Sequence, residues 1–591
     1  MTALTSQLSA HIGAAFKKHN LPEELGAVRV SDRPDLAQFQ CNGAMAAAKI
    51  AGKAPRAIAE DIVADLQQDP IFAEVSIAGP GFINIKLTEQ ALSDHIITLN
   101  ADENLLVDNI GLSKNVIVDY GGPNTAKPMH VGHLRASIIG ESIKRVLKFV
   151  GYDAKGDIHL GDWGTHMGMV LSEFEIRHPE WPYFDKSKTD GFPSEPPITI
   201  QDLETLYPEA SKASKSDEAR MEISRQVTAE LQKKQPGYYA LWKHCFNVSV
   251  EAMKKNFAAL DVYFELWLGE SDAQDYIPEM VEALQKQGHA IEDDGAIVIP
   301  VKQETDKKEY PPLILYKRDG SVMYGTTDLA TLVQRMQDFN PEKIIYVVDQ
   351  RQNLHFEQVF RAARLSNIVP EGTELTHAGN GTMNGQDGKP FKTRAGGVMK
   401  LEDLIQMGVE KATQRLDEAN IGQDYSAEER ADIIHKVAIA AIKFADLQNN
   451  RSADYIFDLD RLTSFEGKTG PYLLYQAVRI KSLLRKAADR GLKPESLNKV
   501  ELGEHETALA LILADFPNVV DLTARNYTPH VLADYAYKLA QSFSSFYSHC
   551  PILSDAAQQG AQQSRLFLSA LTLRSLEKTL DLLGIPTPER M

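Results

Sequence analysis

The segment Asn115-Val116-Ile117-Val118-Asp119-Tyr120-Gly121-Gly122-Pro123-Asn124-Thr125-Ala126-Lys127-Pro128-Met129-His130-Val131-Gly132-His133-Leu134-Arg135 decides the fold. Its β-branched start predicts a buried strand, and Gly121-Gly122-Pro123-Asn124 predicts a loop. From Leu134 the apolar residues recur at Ile138, Ile143, Leu147 and Val150, a helical period closed by Gly151. His130 and His133 therefore stand at a strand–loop–helix junction. Open α/β sheets bind nucleotides at such junctions, off the carboxyl ends of strands and near a helix N-terminus. Two imidazoles flanking Gly132 can hydrogen-bond phosphate oxygens, and the absent side chain lets a nucleotide approach the backbone. On its own, His-x-x-His also fits a metal pair or two surface histidines. A zinc site needs a third ligand, usually clustered, whereas Cys41, Cys245 and Cys550 lie far apart in sequence. No structural metal is expected.

Working outward, 591 residues exceed one hydrophobic core, and about three to five domains are expected. The composition is ordinary for a globular protein, at 43% hydrophobic and 24% charged. Three cysteines predict a reducing compartment without a disulfide framework. The first residues lack a basic start, an apolar stretch and a cleavage site. No apolar run approaches the ~20 residues of a membrane span. A cytoplasmic protein with no membrane partner is the expectation. A net charge of −18 argues, taken alone, against a nucleic-acid partner. Local patches can override the sum. One candidate is Arg479 to Arg490, whose cations cluster along a predicted helix; a solvated helix face fits equally well.

Residues 1–107 read as a small α+β domain, with helical patterns around Leu8–Lys18 and Ala57–Leu66 and a strand over Phe82–Leu87. A nucleotide-binding α/β core of the Rossmann type covers 108–400. It is interrupted by an insertion at about 179–300, with a long helical stretch from Ser216 to Leu260. Strands return at Leu313–Tyr316, followed by an Asp319-Gly320 turn, and at Lys343–Val348. Residues 401–455 read as a helical connection and 456–591 as an all-α bundle.

The whole chain resembles the arginyl-tRNA synthetases, which are class I aminoacyl-tRNA synthetases. The class I signature His-x-Gly-His is His130-Val131-Gly132-His133. Around it stand Pro123-Asn124-Thr125-Ala126-Lys127-Pro128-Met129 and Leu134-Arg135. Gly161-Asp162-Trp163-Gly164-Thr165, Gly269-Glu270-Ser271, Tyr324-x-x-x-Asp328 and Gln352-x-x-His355-Phe356 follow in order. Ala78-Gly79-Pro80-Gly81-Phe82-Ile83-Asn84 matches the family's N-terminal domain. Gly467-Lys468-Thr469-Gly470-Pro471-Tyr472-Leu473 and the terminal Pro588-Glu589-Arg590-Met591 complete the set. The second class I signature, Lys-Met-Ser-Lys, is replaced by Lys389-Pro390-Phe391-Lys392-Thr393-Arg394. His166 stands where the family commonly has Gln.

The resemblance implies ATP-dependent attachment of L-arginine to its tRNA through an arginyl-adenylate, by a monomer. It gives His130, His133 and Lys127 to the chemistry, with Lys127 compensating for the missing signature lysine. His130, Gly132, His133, Lys392 and Arg394 would contact ATP, and Mg2+ would be bound through the ATP phosphates. Asp119 and Asp328 would meet the substrate guanidinium, with Asn124, Tyr324 and Gln352 around the amino acid. Spacing alone favours a strand-end turn for Asp119 and a helix cap for Asp328. Tyr547 and Met591 would lie near the tRNA anticodon and the N-terminal domain near the D-loop. Phe543, Phe546 and Tyr547 also fit core packing. Rival readings are another class I synthetase, a small nucleotidyltransferase sharing His-x-Gly-His, and an inactive tRNA-binding relative. The ordered motifs argue against the first, the helical C-terminal region against the second. Intact His130, His133, Lys127, Asp119 and Asp328 argue against the third.

Overall fold

The computed structural model describes all residues except 1, 2, 32, 34, 35, 319, 390, 392–398, 495, 496, 498 and 555–558. Lys392, Arg394 and the Asp319 turn position lie outside the described residues. The chain divides into two units, one of residues 111–412 and 445–461, the other of 1–110, 413–444 and 462–591.

The first unit is built on a parallel sheet. Its strands are β1 (Asn115–Tyr120), β2 (Asp153–Asp157), β3 (Lys343–Val347) and β4 (Glu374–His377), in the order β4-β3-β1-β2. β1 is buried at every position after Asn115, as a central parallel strand covered on both faces requires. Helix α1 (Leu134–Phe149) leads from β1 to β2, α2 (Tyr324–Asp338) precedes β3, and α3 (Asn353–Leu365) follows it. The order runs outward from β1 to β2 on one side and from β3 to β4 on the other. The change of direction falls between β1 and β3, and in such sheets the ligand crevice lies there.

α1 is buried along most of its length. A Cβ on Gly140 would stand 2.2 Å from Tyr120 Cγ, so this glycine permits the close approach of helix to strand. Arg135 is buried, donates from Nε to Asp446 Oδ2 at 2.8 Å and from Nη1 to the Ala453 carbonyl at 2.8 Å. The second residue after the signature histidines thus ties α1 to 445–461 of the same unit.

The helical stretch expected over 216–260 is two helices, Glu218–Gln232 and Pro236–Ala259. Pro236 supplies no N–H to a helix running through it and disfavours helical backbone at Gln235. Gln235 instead caps the second helix, its Oε1 accepting from Tyr238 N at 2.8 Å. With Thr165–Arg177 and Ile200–Ser216 these helices enclose a core that includes Trp163, Leu171, Leu206, Leu231 and Trp242. The chain is back beside β2 by Leu266, through parallel bridges Asp157–Leu266 and Leu160–Gly269. Ile291–Asp293, Ala296–Ile299 and Leu313–Tyr316 then form a small antiparallel sheet.

The second unit contains an antiparallel sheet of Val28–Val30, Phe39–Cys41, Phe82–Leu87 and Phe72–Ala78, in that order, with helices Leu4–Lys18, Pro55–Leu66 and Glu89–Ala101. Its C-terminal part is helical: Gly470–Asp489, Glu504–Ala514, Phe516–Asn526, Pro529–His549 and Gln559–Leu582. Ser93 Oγ accepts from Val500 N at 2.7 Å, and Arg574 donates to the Asn100 carbonyl at 2.8 Å, joining the two ends of the chain. Among the described residues, Glu504–Asn526 is long and apolar enough to cross a membrane, where the sequence reading found no such run. It consists of two helices meeting at Asp515 and packs on Pro529–His549.

Removing one partner of a buried pair leaves the other charge uncompensated, at a typical cost of about 3–5 kcal/mol. Asp446→Ala should therefore lower the thermal unfolding midpoint strongly, whereas Asp432→Ala, at an exposed ion pair, should leave it nearly unchanged. Scanning calorimetry on the two variants checks the ranking.

Candidate active site

Between β1 and α1 the chain turns on Gly121 and Gly122, with φ +93° and +48°. It then pairs with the segment after β2. Thr125 N donates to the Gly161 carbonyl at 2.9 Å, and Gly161 N donates to Pro123 O at 3.2 Å. A Cβ on Gly161 would lie 2.0 Å from Asn124 Oδ1, so Gly161 leaves room for the Asn124 carboxamide. On its far side the loop is held by Val131 N to Met399 O and Leu401 N to Met129 O, both 3.0 Å.

The two signature histidines cap the helical turn they begin. His130 Nδ1 accepts from Gly132 N at 3.1 Å, and His133 Nδ1 accepts from His130 N at 3.2 Å. Their rings stack with centroids 4.0 Å apart. A Cβ on Gly132 would sit 2.8 Å from the His130 ring. Burial first, then the charge of Lys127, lowers the His130 pKa; burial and the positive field of His130 and Lys127 push His133 down to about 3. Both rings are neutral at pH 7. With Nδ1 accepting, the proton sits on Nε2, leaving each ring a free N–H donor. Lys127 Nζ lies 4.6 Å from the Tyr207 ring centre, on the helix Ile200–Ser216.

A cluster of acidic groups lies at the same strand ends. Asp328, one turn into α2, accepts from or pairs with His355 Nε2 at 2.5 Å and lies 3.9 Å from His159 Nε2. Burial lifts the Glu270 carboxyl above its usual range; His159 opposes this and Asp328 adds to it. Tyr324, at the start of α2, lies within range of the charges of Glu270 and Asp328. Asp162 clamps the Glu270 segment, accepting from Ser271 N at 3.0 Å and Ser271 Oγ at 2.6 Å. A Cβ on Gly269 would come within 2.7 Å of Asp162 Oδ1. The Gly161–Thr165 and Gly269–Ser271 motifs are thus two sides of one contact.

Asp119 is placed differently. Its carboxylate is buried, and Arg335 Nη2 donates to Asp119 Oδ2 at 2.5 Å and to Asp157 Oδ2 at 2.6 Å. Arg335 therefore engages one oxygen of the Asp119 carboxylate. Asp119, Asp157 and His159 could bring ligand atoms within 4.8 Å of one another around a metal ion, but the guanidinium already neutralises the two carboxylates. Gln352 is exposed in the short turn before α3. Glu270, His159, His355 and Tyr207 complete the cluster beyond the residues assigned from sequence. The Gly269-Glu270-Ser271 motif was a signal for Glu270, and Gln352-x-x-His355 for His355; nothing marked Tyr207 or His159.

In the other unit Tyr547 is 36% exposed, on the helix Pro529–His549, with the Arg479 guanidinium 4.2 Å from its ring centre. Phe543 and Phe546 are fully buried core residues. Lys481 pairs with Glu577 and Glu589 at 2.8 and 2.9 Å, and Arg485 donates to the Glu589 carbonyl at 3.2 Å. Cations of the 479–490 stretch therefore hold the C-terminal residues that end at Met591.

Three family models match the chain: class I (R) tRNA synthetase catalytic domain over residues 95–459, DALR anticodon binding domain over 473–591, and arginyl tRNA synthetase N terminal domain over 2–87. The arginine–tRNA ligases of Alkaliphilus oremlandii and Maricaulis maris are each 48% identical to it, with both chains covered in full. The crystal structure of arginyl-tRNA synthetase from Plasmodium falciparum superposes with a TM-score of 0.84 at 26% identity, covering 100% of this chain and 99% of that one. The Thermus thermophilus arginyl-tRNA synthetase shares the fold, with a TM-score of 0.81 at 23% identity over the full length of both.

His166 offers a test of this electrostatic arrangement. Burial, then the charge of Lys127, pushes its pKa from 6.5 down to about 3. The unfolded chain takes up this proton first, so the neutral ring contributes stability above pH 6.5 that is lost as pH falls toward 3. The acid-side fall in unfolding midpoint should be shallower in His166→Gln than in the parent protein. Identical acid limbs would show that the ring is not held neutral.

Proposed function

The chain belongs to the arginyl-tRNA synthetase family, and on that premise we propose how its residues divide the work. It is an arginine–tRNA ligase, a class I aminoacyl-tRNA synthetase that uses ATP to attach arginine to tRNA for protein synthesis. In the proposed first step the arginine carboxylate attacks the α-phosphate, and the P–O bond to pyrophosphate breaks. In the second, the 2′-hydroxyl of the terminal tRNA ribose attacks the arginyl carbonyl, loses its proton and releases AMP. Neither step needs a protein nucleophile; positioning and neutralisation of phosphate charge carry the catalysis.

His130 and His133 donate from Nε2 to phosphate oxygens, Gly132 lets the nucleotide approach, and Lys127 supplies the positive charge. Mg2+ enters with ATP and is held through the phosphates. Lys392 and Arg394 are assigned to ATP on the family resemblance alone. Asp328 and Glu270 take the two edges of the substrate guanidinium beside Tyr324, and Asn124 and Gln352 hold the amino-acid end. Asp119, assigned to the same guanidinium on the family resemblance, also gives one oxygen to Arg335. Residues 1–107 serve the tRNA D-loop, 108–400 catalysis, 401–455 the connection, and 456–591, with Tyr547 and Met591, the anticodon. The enzyme works as a cytoplasmic monomer.

The observation that carries this reading is the pairing of opposites at one set of strand ends: neutral donors and Lys127 on the loop, and the carboxylates of Asp328 and Glu270 beside it. Aminoacylation of total tRNA with each of the twenty amino acids tests it. Arginine alone should be transferred, because a wrong side chain leaves buried acceptors unpaired. His130→Ala and His133→Ala should each slow transfer ~100- to 1000-fold, the usual cost of a lost preorganised donor. Near-normal rates in both would remove the nucleotide role of the motif.

Specificity supplies a second test. Asp328→Asn should raise the KM for arginine far more than that for ATP. His355 adds a pH dependence. Burial alone would lower its pKa, but the hydrogen bond and charge of Asp328 raise it above 6.5. The protonated ring competes with arginine for Asp328, so the KM for arginine should fall as pH rises through that pKa. In His355→Gln the profile should flatten; an unchanged slope would take His355 out of the pocket.

A further inference from the structure

We propose that Tyr207 is a positioning residue for Lys127: its ring face, carried in by the insertion, holds the Lys127 ammonium beside the signature histidines without neutralising it. The proposal rests on the assignment of Lys127 to the ATP phosphates.

The helix Ile200–Ser216 turns one face to the core of the insertion, where Leu203, Leu206 and Ala210 are buried. Glu204 and Tyr207, three residues apart, are neighbours on the adjoining face. Both reach the nucleotide loop or the segment paired with it. Lys127 Nζ lies 4.6 Å from the Tyr207 ring centre, and Lys400 Nζ donates to Glu204 Oε2 at 2.7 Å. Lys400 is in turn bridged, antiparallel, to His130. The helix therefore holds the signature loop twice, directly at Lys127 and through Lys400 at His130. Pro208 follows Tyr207 inside the helix and has no N–H to give the Glu204 carbonyl. A hydrogen bond is thus given up at the turn that meets the loop.

The contact suits a cation that must stay charged. A carboxylate beside Lys127 would hold the ammonium in place but cancel the charge that the phosphates need. A ring face attracts the ammonium through its quadrupole and carries no net charge. It covers one side only, and an ammonium has three donors, so others remain for phosphate oxygens. The neighbours mark where the ammonium sits. Behind burial, the Lys127 charge lowers the pKa of His130, His133 and His166 alike. The cation and the neutral Nε2 donors are therefore set side by side. A lysine left free in the loop would lose its rotamer freedom on meeting the phosphates. One already seated on Tyr207 has lost it beforehand, which is preorganisation.

The experiment is steady-state aminoacylation by the full-length enzyme, with kcat/KM for ATP and the KM for arginine measured separately. The variants are Tyr207→Leu, Tyr207→Phe, Lys127→Met and the double variant Tyr207→Leu/Lys127→Met. Tyr207→Leu should lower kcat/KM for ATP ~2- to 30-fold, the span of a cation–π contact, with the KM for arginine little changed. Tyr207→Phe, which keeps the ring face, should recover most of the loss. In the Lys127→Met background the Tyr207→Leu loss should vanish, because the ring then has no ammonium to hold. An equal loss in both backgrounds would mean that Tyr207 only supports the fold, and it overturns the proposal. So does a parent-like Tyr207→Leu enzyme, or a Tyr207→Phe loss as large as that of Tyr207→Leu. Tyr207 also lies within range of Tyr324 on the amino-acid side; a loss carried by the KM for arginine would place its action there and overturns the proposal too. Tyr207 is partly exposed, so Tyr207→Gln repeats the cycle if the leucine variant does not fold. Lys127→Met with the parent kcat/KM for ATP would mean that the phosphate assignment itself has failed, independently of Tyr207.

Discussion

β1 and β3 are hydrogen-bonded neighbours whose connections leave in opposite directions, and everything functional in the catalytic unit depends on the crevice this opens at their carboxyl ends. The loop after β1 carries Asn124, Lys127 and the two histidines. The turn after β3 carries Gln352, the start of α3 carries His355, and the start of α2 carries Tyr324 and Asp328. The backbone sets these positions before any side chain is considered. The glycines then tune them: Gly140 lets α1 approach β1, Gly161 makes room for Asn124, and Gly269 for Asp162.

The chemistry imposes a second constraint. A cationic amino acid and a polyanionic nucleotide must meet within bonding distance, and each attracts the groups that should bind the other. The protein answers by holding its phosphate donors neutral. Burial and Lys127 keep His130 and His133 deprotonated, so the phosphate role proposed for them would rest on oriented N–H groups that add little long-range repulsion for an arginine side chain. Lys127, the cation beside them, faces the Tyr207 ring. On the other side, Asp119 and Asp157 each give one oxygen to Arg335.

Much of this was readable before any coordinates. The strand, loop and helix around His130–His133 follow from local pattern, because alternation, glycine placement and helical period are short-range properties. So did the motifs, including both halves of the Asp162–Ser271 contact, although their mutual contact was not. What escaped was long-range. Arg335 lies 216 residues from Asp119, and no periodicity links them; the sequence could offer Asp119 to the substrate but could not show that it also holds an internal arginine. The break at Pro236 is written in the residues, although the helical stretch was expected to run through it. The cations of 479–490 fitted a nucleic-acid patch and a solvated helix face equally, because charge is legible in a sequence and pairing is not.

Those cations also bear on how a protein of net charge −18 handles an anionic tRNA. In the C-terminal bundle Lys481 and Arg485 are spent on Glu577 and Glu589, and Arg590 pairs with Glu429 at 2.6 Å. These contacts fix the last residues of the chain against the bundle, so the terminus is an ordered part of the surface. Arg479 stacks its charge on the Tyr547 ring, which restrains an aromatic side chain that remains partly exposed. A restrained aromatic ring suits stacking on an unpaired base, a contact that needs no unpaired cation. The phosphate backbone, by contrast, rewards unpaired lysines and arginines and loses that reward as salt rises. A bundle that uses its basic residues to hold its own shape has traded some general affinity for a defined recognition surface, which is the better bargain for an enzyme that must choose one tRNA among many.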